Sequence, residues 1–450
     1  MLSREGDHEK GVVARFLLLS TAFLVEVRKR LRMARRQRKG RRIFRKMQVL
    51  HASEIKRIQR AGRARVVYLV IHESVWKVDE VFKKMLADPF FDPLILVCPD
   101  VKNAGEDSLS RMRSLRYLFE EKGYPVISSY DDVAGRWMSL SEVCPDVVFF
   151  TNPHNLTMPE YYDKAYRRYL SCYVPYFYLV TSHGDDQSIY NQDFHNAMWR
   201  IFMPHELSCS AARKVSACAA ENCELTGYPA CEPLLEKVEE GAGTSWKMLS
   251  RPLKRIIIAP HHTISDGELV LSNFLELADF FVDMVVRYEG AVQWSFKPHP
   301  LLKPKLYLHP DWGCEATDKY YDFWRNHANA QLDEGDYYRL FVESDAIIHD
   351  SGSFIVEYLF VEKPAMYLSL PGSGGFEGLN DFALKALRGY RIARNKRDIL
   401  SFVDAVVAGT AGMAPDHSRF IEEEILPNYT GSTPSDRIVS YLKTRLQKVV

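Results

Sequence analysis

Two stretches of this chain alternate short apolar runs with helix-length segments, and that alternation limits the fold more than any other feature. The first stretch runs RVVYLVI (65–71), a helix-like segment at 76–87, LILVC (94–98), a helix at 108–122, PVIS (125–128), DVVFF (146–150) and YFYLV (176–180). The second runs RIIIAP (255–260), a long helix near 267–288, VQWSFKP (292–298), helices near 316–328 and 336–343, AIIHD (346–350), a helix from about 353 and AMYLSL (365–370). Strands buried on both faces read as continuous apolar runs, and strands separated by helices pair in parallel. The expected class is α/β, with two Rossmann-like doubly wound domains facing a cleft. A chain of 450 residues, 46% of them hydrophobic, is long enough for both. The expected division is a basic arm (1–60), a first domain (65–245), a second domain (250–412) and a helical tail (415–450), with the polar segment 236–252 as the linker.

Ligands of open α/β sheets bind beyond the carboxyl ends of the strands, so the residues that follow each strand matter most. After YFYLV come Thr181, Ser182, His183, Gly184, Asp185 and Asp186. After RIIIAP come His261, His262 and Thr263; after VQWSF come Lys297, Pro298 and His299; after AIIH comes Asp350-Ser351-Gly352-Ser353. Groups that hold or move protons and anions therefore coincide at one expected edge. The last motif precedes a helix running through Glu357. A helix start leaves backbone N–H groups unpaired, a glycine lets a ligand approach, and hydroxyls add donors, which together describe a phosphate site. An ordinary helix cap of Ser or Asp reads the same way. Glu357 lies where it can accept from a ribose or face solvent. LPGSGGFEGL (370–379) lacks the spacing of a dinucleotide fingerprint and reads as a loop over the cleft.

The net charge of +1 conceals an asymmetry: residues 1–60 hold 18 Lys/Arg against 5 Asp/Glu. The run 28–46 alone has twelve basic residues, with apolar Leu24, Val27 and Leu31, then Phe44, Met47 and Leu50, at helical spacing. Such a helix lies in a headgroup layer held by anionic lipid. The apolar stretch 12–27, broken by Arg15 and Glu26, is short for a spanning helix and has no cleavage site of a signal peptide. The expected place is the cytoplasmic face of a membrane, peripherally bound. Nucleic acid is not expected as a partner, because the body offers no basic stripe with interleaved aromatics. The eight scattered cysteines contain no CxxC and read as reduced, buried thiols.

TSHG (181–184), TGYPACEPL (226–234), FKPHP (296–300) and SDAIIHDSGSFIVEYLFVEKPAMYL (344–368) resemble, in order and spacing, the motifs of the CDP-glycerol glycerophosphotransferase family, the teichoic-acid-polymerase-like enzymes also found in capsule synthesis. The resemblance spans roughly residues 145–370. It implies a GT-B fold and transfer of glycerol phosphate from CDP-glycerol, or a related CDP-polyol, to a lipid-linked or polysaccharide acceptor, with release of CMP. It implies His183 as general base, with Gly184 giving the acceptor room; imidazole is the side chain that ordinarily titrates near neutrality. His299 and Lys297 would hold the diphosphate, Ser351, Gly352 and Ser353 would donate to it, Glu357 would hold the ribose, and His261 and His262 would bind phosphate, with Thr263 beside them on the donor side. Asp350 belongs to the same donor-side motif. No cofactor is implied and no metal site is assigned, although His261 and His262 also suit a metal. The family usually has Thr-Pro where Asp185 and Asp186 stand, and Asp-Tyr-Ser-Ser where this chain has Asp350-Ser351-Gly352-Ser353. A nucleotide-sugar transferase of the same fold, or a non-catalytic member that binds polymer, are the competing readings.

Overall fold

The structure is a computed structural model and describes residues 5–102, 108–235, 244–264 and 271–448, with the side chains of the first helix described from Val27 onward. The first sheet contains β1 (Ala64–Val70), β2 (Phe91–Val97), β3 (Val126–Ser128), β4 (Val147–Phe150), β5 (Leu170–Tyr173), β6 (Arg200–Met203) and β7 (Cys223–Leu225). The second contains β8 (Lys254–Ala259), β9 (Val292–Phe296), β10 (Ala330–Leu332), β11 (Ala346–His349), β12 (Ala365–Leu368) and β13 (Arg391–Ala393). Their orders are 3-2-1-4-5-6-7 and 10-9-8-11-12-13, and every pairing within the two sheets is parallel. Each is a doubly wound sheet whose order reverses beside its first strand, the place where a ligand crevice forms. The expected α/β architecture with two Rossmann-like domains is what the chain adopts.

The central strands form from the longest β-branched runs. Ile256, Ile257 and Ile258 alternate between the two faces of β8 and are 0–1% exposed on both. Helices cover those faces by their apolar stripes: in the helix Phe274–Arg287, Phe274, Leu277, Ala278, Phe281, Met284 and Val285 are buried at the spacing of a single helical face.

One expected strand is absent. YFYLV (176–180) is apolar, but it pairs with neither main sheet; β5, β6 and β7 take that side of the first sheet instead. The segment is a strap between the domains. Its backbone groups pair across the cleft: Asn380 N donates to Val180 O at 2.9 Å, Ser182 N donates to Gly378 O at 2.8 Å, and Thr181 bridges Leu379. The strap is apolar because Tyr178 and Val180 sit in a core shared by both domains, with Tyr228, Cys231, Ile355, Leu359, Phe360 and Phe382. The Gly-rich loop 370–379 is thereby pinned to the strap at its far end.

The tail returns to the first domain. Its final helix, Pro434–Leu446, buries Ile438, Leu442 and Leu446 beside Val66 and Tyr68 of β1. Glu232 receives Ser435 N at 2.7 Å and Ser435 Oγ at 2.6 Å, and ion pairs Lys84–Asp436 (2.5 Å) and Lys443–Asp88 (2.6 Å) flank the helix.

The basic arm is part of one continuous helix, α1 (Glu5–Ala61). From Gly40 onward it buries one face, with Met47, His51 and Ile58 each at 6% exposure or less. Gln37 Nε2 donates to Val215 O at 2.8 Å and Lys39 pairs with Asp193 at 2.6 Å. Between Arg28 and Arg36 the residues are exposed. At 1.5 Å per residue the part before Gln37 reaches roughly 50 Å along its axis from where the body holds it. No helix among the described residues is long and apolar enough to cross a membrane. All eight cysteines are free thiols, but Cys144 and Cys314 are exposed rather than buried as expected.

Candidate functional site

A cavity of about 630 Å³ lies between the carboxyl edges of the two sheets. His261 and His262 follow β8, His299 follows β9, Gly352 and Ser353 follow β11, and all five line it together with Thr263. From the first domain the strap brings Val180, Thr181 and His183 to the same space. Seven of the residues singled out from the sequence therefore meet: His183, His261, His262, Thr263, His299, Gly352 and Ser353.

His183 sits in a turn that Asp186 holds in shape. The Asp186 carboxylate accepts from Ser182 Oγ and from His183 N, both at 2.8 Å, and Asp186 itself takes a left-handed backbone (φ 57°). The Asp that departs from the resembled pattern thus has a local structural role. Gly184, also left-handed (φ 58°), is exposed and outside the cavity wall.

The three imidazoles on the second domain pack as one cluster. Ring centroids of His261–His262, His262–His299 and His261–His299 lie 4.3, 4.2 and 5.2 Å apart. Burial, reinforced by the neighbouring rings and the Lys305 ammonium, pulls His261 well below the ordinary imidazole value and His299 to about 3. Burial and Lys305 bring His262 to about 4, so the cluster is uncharged at neutral pH. The partners on each Nδ1 decide the tautomers. His299 Nδ1 accepts from Leu301 N at 3.1 Å, and His262 Nδ1 faces Lys305 Nζ at 2.9 Å. His261 Nδ1 lies 3.0 Å from Thr263 Oγ1, whose oxygen accepts from Leu271 N at 2.9 Å and from Ser272 N at 3.4 Å, so both its lone pairs are taken and its proton goes to the ring. With Nδ1 accepting in each ring, the proton of each neutral imidazole resides on Nε2.

Ligand nitrogens of the three rings lie within 4.8 Å of one another, a spacing that suits a metal ion. The surrounding chemistry does not. A histidine bound to a metal through Nε2 hands its Nδ1 proton to an acceptor, whereas here Nδ1 of each ring meets a donor, one of them an ammonium. Three neutral imidazoles with a proton on Nε2, and a lysine, thus line the cavity together, a set that suits an anion better than a cation.

The remaining residues of interest lie behind this surface. Lys297 is buried; its ammonium pairs with Asp333 at 2.8 Å and donates to Gly335 O, away from the cavity. Asp350 is fully buried and ties loops together, accepting from His261 N (2.6 Å), Asn273 N (2.6 Å) and Asn273 Nδ2 (3.1 Å); burial lifts its carboxyl to about 6 against those hydrogen bonds. Ser351 is buried, and its carbonyl meets His349 Nδ1 at 3.1 Å. The helix after the motif, Phe354–Glu357, is a single turn continued by a 3₁₀ turn to Val361, so its dipole is small. Glu357 is 1% exposed in the interdomain core, with no well-formed hydrogen bond to either oxygen. Burial raises its carboxyl, opposed by Lys77 and Tyr337.

Three contributors escaped the sequence reading. Lys305 lies on the helix Leu302–Tyr307 directly after FKPHP, and that adjacency was the available signal. Tyr176 and Phe177 were hidden inside a run read as a strand. Among the described residues lining the cavity there is no carboxylate, and Lys305 is the one Lys or Arg.

Sequence comparison finds no matching family and no matching curated protein. Among solved structures, the chain is similar to a putative UDP-N-acetylglucosamine 2-epimerase from Listeria monocytogenes (12% identity, TM-score 0.53), covering 86% of this chain and 98% of that one. It is also similar to MnaA of S. aureus in complex with UDP (13% identity, TM-score 0.50), covering 85% and 97%. At such identities the likeness concerns the fold. With two doubly wound parallel sheets facing across a cleft, the chain has the GT-B fold.

Proposed function

We propose that this chain is a transferase that takes a nucleotide-activated group from a nucleoside diphosphate sugar and passes it to an acceptor hydroxyl in the interdomain cleft. The observation that carries the reading is the opposition, across one cavity, of His183 on the first domain and the neutral N–H cluster of His261, His262 and His299 on the second. The cluster, with Lys305, Gly352 and Ser353, binds the donor's phosphates, and its donors meet the negative charge that grows on the leaving group. His183 takes the acceptor proton as the acceptor oxygen bonds to the anomeric carbon; the carbon–oxygen bond to phosphate breaks and the nucleoside diphosphate leaves. Similarity of fold to a UDP-bound protein and to one named for UDP-N-acetylglucosamine supports a pyrimidine donor.

A second reading is transfer of glycerol phosphate from CDP-glycerol or a related polyol. It is favoured by one observation: His183, His299, Gly352 and Ser353, drawn from three of the motifs shared with glycerophosphotransferases, meet at one cavity. There the acceptor oxygen attacks phosphorus, the anhydride breaks, and CMP leaves. On either reading the exposed basic residues of α1 hold the enzyme on an anionic membrane surface.

The leaving nucleotide separates the two. Purified protein is incubated with UDP-sugars, CDP-glycerol and CDP-ribitol, each with membrane extract, and the nucleotide product is identified. Nucleoside diphosphate from a sugar donor supports the first reading, and CMP from CDP-glycerol or CDP-ribitol replaces it with the second. Release that persists in His183→Ala removes the base assignment, and silence from every donor overturns transfer altogether.

A further inference from the structure

The cavity has two ends of unlike chemistry. At the second-domain end stand the imidazole cluster and Lys305. The first-domain lobe is bounded by residues after β4, β5 and β6 and by the strap, and its described lining contains no Asp, Glu, Lys or Arg. The two histidines in this lobe, His154 and His195, are held below the ordinary imidazole value by burial, His195 to about 3, so they are uncharged at neutral pH.

What the lobe does offer is aromatic surface. Tyr176 and Phe177 are half-buried and both line the cavity, with ring centroids 5.0 Å apart and planes at 53°. Tyr176 is fixed by its hydroxyl, 3.1 Å from His154 Nε2, and by the His154 ring edge-on at 5.8 Å. Ser188 and Gln192 add a hydroxyl and an amide to the same wall. The strap that carries the aromatic pair runs on to His183, so one segment joins this wall to the proposed base.

A polyol phosphate chain carries a charge on every repeat, and bringing such charges out of water needs cations to compensate. No Lys or Arg among the described residues lines the lobe, and Arg36, close enough to act on His195, is held by Asn191 O. A neutral sugar ring has apolar C–H faces and hydroxyls at its edge, and it suits aromatic faces bordered by a few neutral polar groups. We propose that the first-domain lobe is the acceptor subsite for a neutral saccharide, seated on Tyr176 and Phe177 with a ring hydroxyl directed to His183. The inference rests on the transfer reading for its role in a reaction, but the subsite itself is tested by binding alone.

The test is ligand-observed saturation-transfer NMR on the full chain, with methyl glycosides of glucose, galactose and N-acetylglucosamine as probes and a glycerol phosphate oligomer as the polyanionic competitor. Expected is saturation of ring C–H protons of at least one glycoside, insensitive to salt. The signal weakens at least about tenfold in Tyr176→Ala and survives in Tyr176→Phe, while both variants still unfold cooperatively and bind UDP and CMP as the parent does. The proposal is overturned if no glycoside saturates, if the glycerol phosphate oligomer alone binds, or if the glycoside signal persists in Tyr176→Ala. Glycoside binding that meets these conditions while every donor stays silent sustains the subsite and sinks the transfer reaction. Nucleotide release without glycoside binding does the reverse.

Discussion

The Asp350 carboxylate accepts the backbone N–H of His261 at 2.6 Å. Asp350 follows β11 and His261 follows β8, so one buried side chain fixes the cluster histidine to the neighbouring strand end. The same carboxylate takes Asn273 N and Asn273 Nδ2 at the start of the next helix. In Asp350→Asn one oxygen becomes an NH₂ group, which cannot accept from the amide it then faces. A buried donor left without a partner costs about 1–3 kcal/mol. The expected result in urea denaturation is a loss of that size, together with weaker nucleotide binding as the His261 loop loosens. Unchanged stability would show that the carboxylate is not what holds this loop.

Glu357 illustrates the opposite case, a buried carboxyl with little to satisfy it. Its folded pKa is raised above the unfolded value of 4.5 by burial. The ionised form is thus disfavoured in the folded protein, and the resulting stability is present below pH 4.5 and is lost as pH rises through the folded value. Glu357→Gln removes the titration. The variant should gain stability relative to the parent as pH increases above 4.5, seen as a difference in Tm that opens above pH 4.5 and levels off once the pH passes the folded value. Donor affinity measured on the same variant tests the ribose role: a drop of about tenfold or more would indicate that the closed interdomain core opens to let Glu357 reach the nucleotide.

The imidazole cluster should prefer anions to metals. Its Nδ1 atoms meet Leu301 N, Lys305 Nζ and Thr263 Oγ1, which place the proton of each ring on Nε2. Inorganic diphosphate should raise the Tm, and the effect should fall in His299→Ala. Zinc at equal concentration should leave the Tm unchanged. A zinc-dependent rise that vanishes in His299→Ala would reverse the tautomer assignment and make the cluster a metal site.

The long central strands and the residues directly after them were legible because a run such as RIIIAP has no other comfortable place than a buried parallel strand. Hence His261, His262 and His299 could be placed at one edge before any coordinates. Direction was not legible. Lys297 and Asp350 also follow strands, yet one faces Asp333 and the other the loop amides, because successive residues there point to opposite sides and sequence spacing does not say which side holds the cavity. YFYLV misled for a different reason: burial between two domains selects the same apolar residues as burial in a sheet, and its backbone partners at 378–380 lie some two hundred residues away. The strands Leu170–Tyr173, Arg200–Met203 and Cys223–Leu225 were missed because three or four residues with Ser, Arg or Glu among them carry little periodicity.

Gly40 marks where α1 meets the body, and it reverses an ordinary rule. A glycine in a helix interior is usually about 1 kcal/mol worse than alanine, so Gly→Ala normally stabilises. Here a Cβ at position 40 would lie 2.5 Å from Ala217 Cβ and 2.9 Å from Asn196 Nδ2. Ala217 has no flexible end that can swing away, and overpacking costs about 1–3 kcal/mol. Gly40→Ala should therefore pry α1 from the body, break the Gln37 and Lys39 contacts beside it, and expose the helix to protease between Arg36 and Lys46. Cleavage in this segment that is faster than in the parent, with the core domains intact, is the expected outcome. Protection equal to or greater than the parent's would show that helix propensity outweighs the contact and that the arm is held elsewhere along its length.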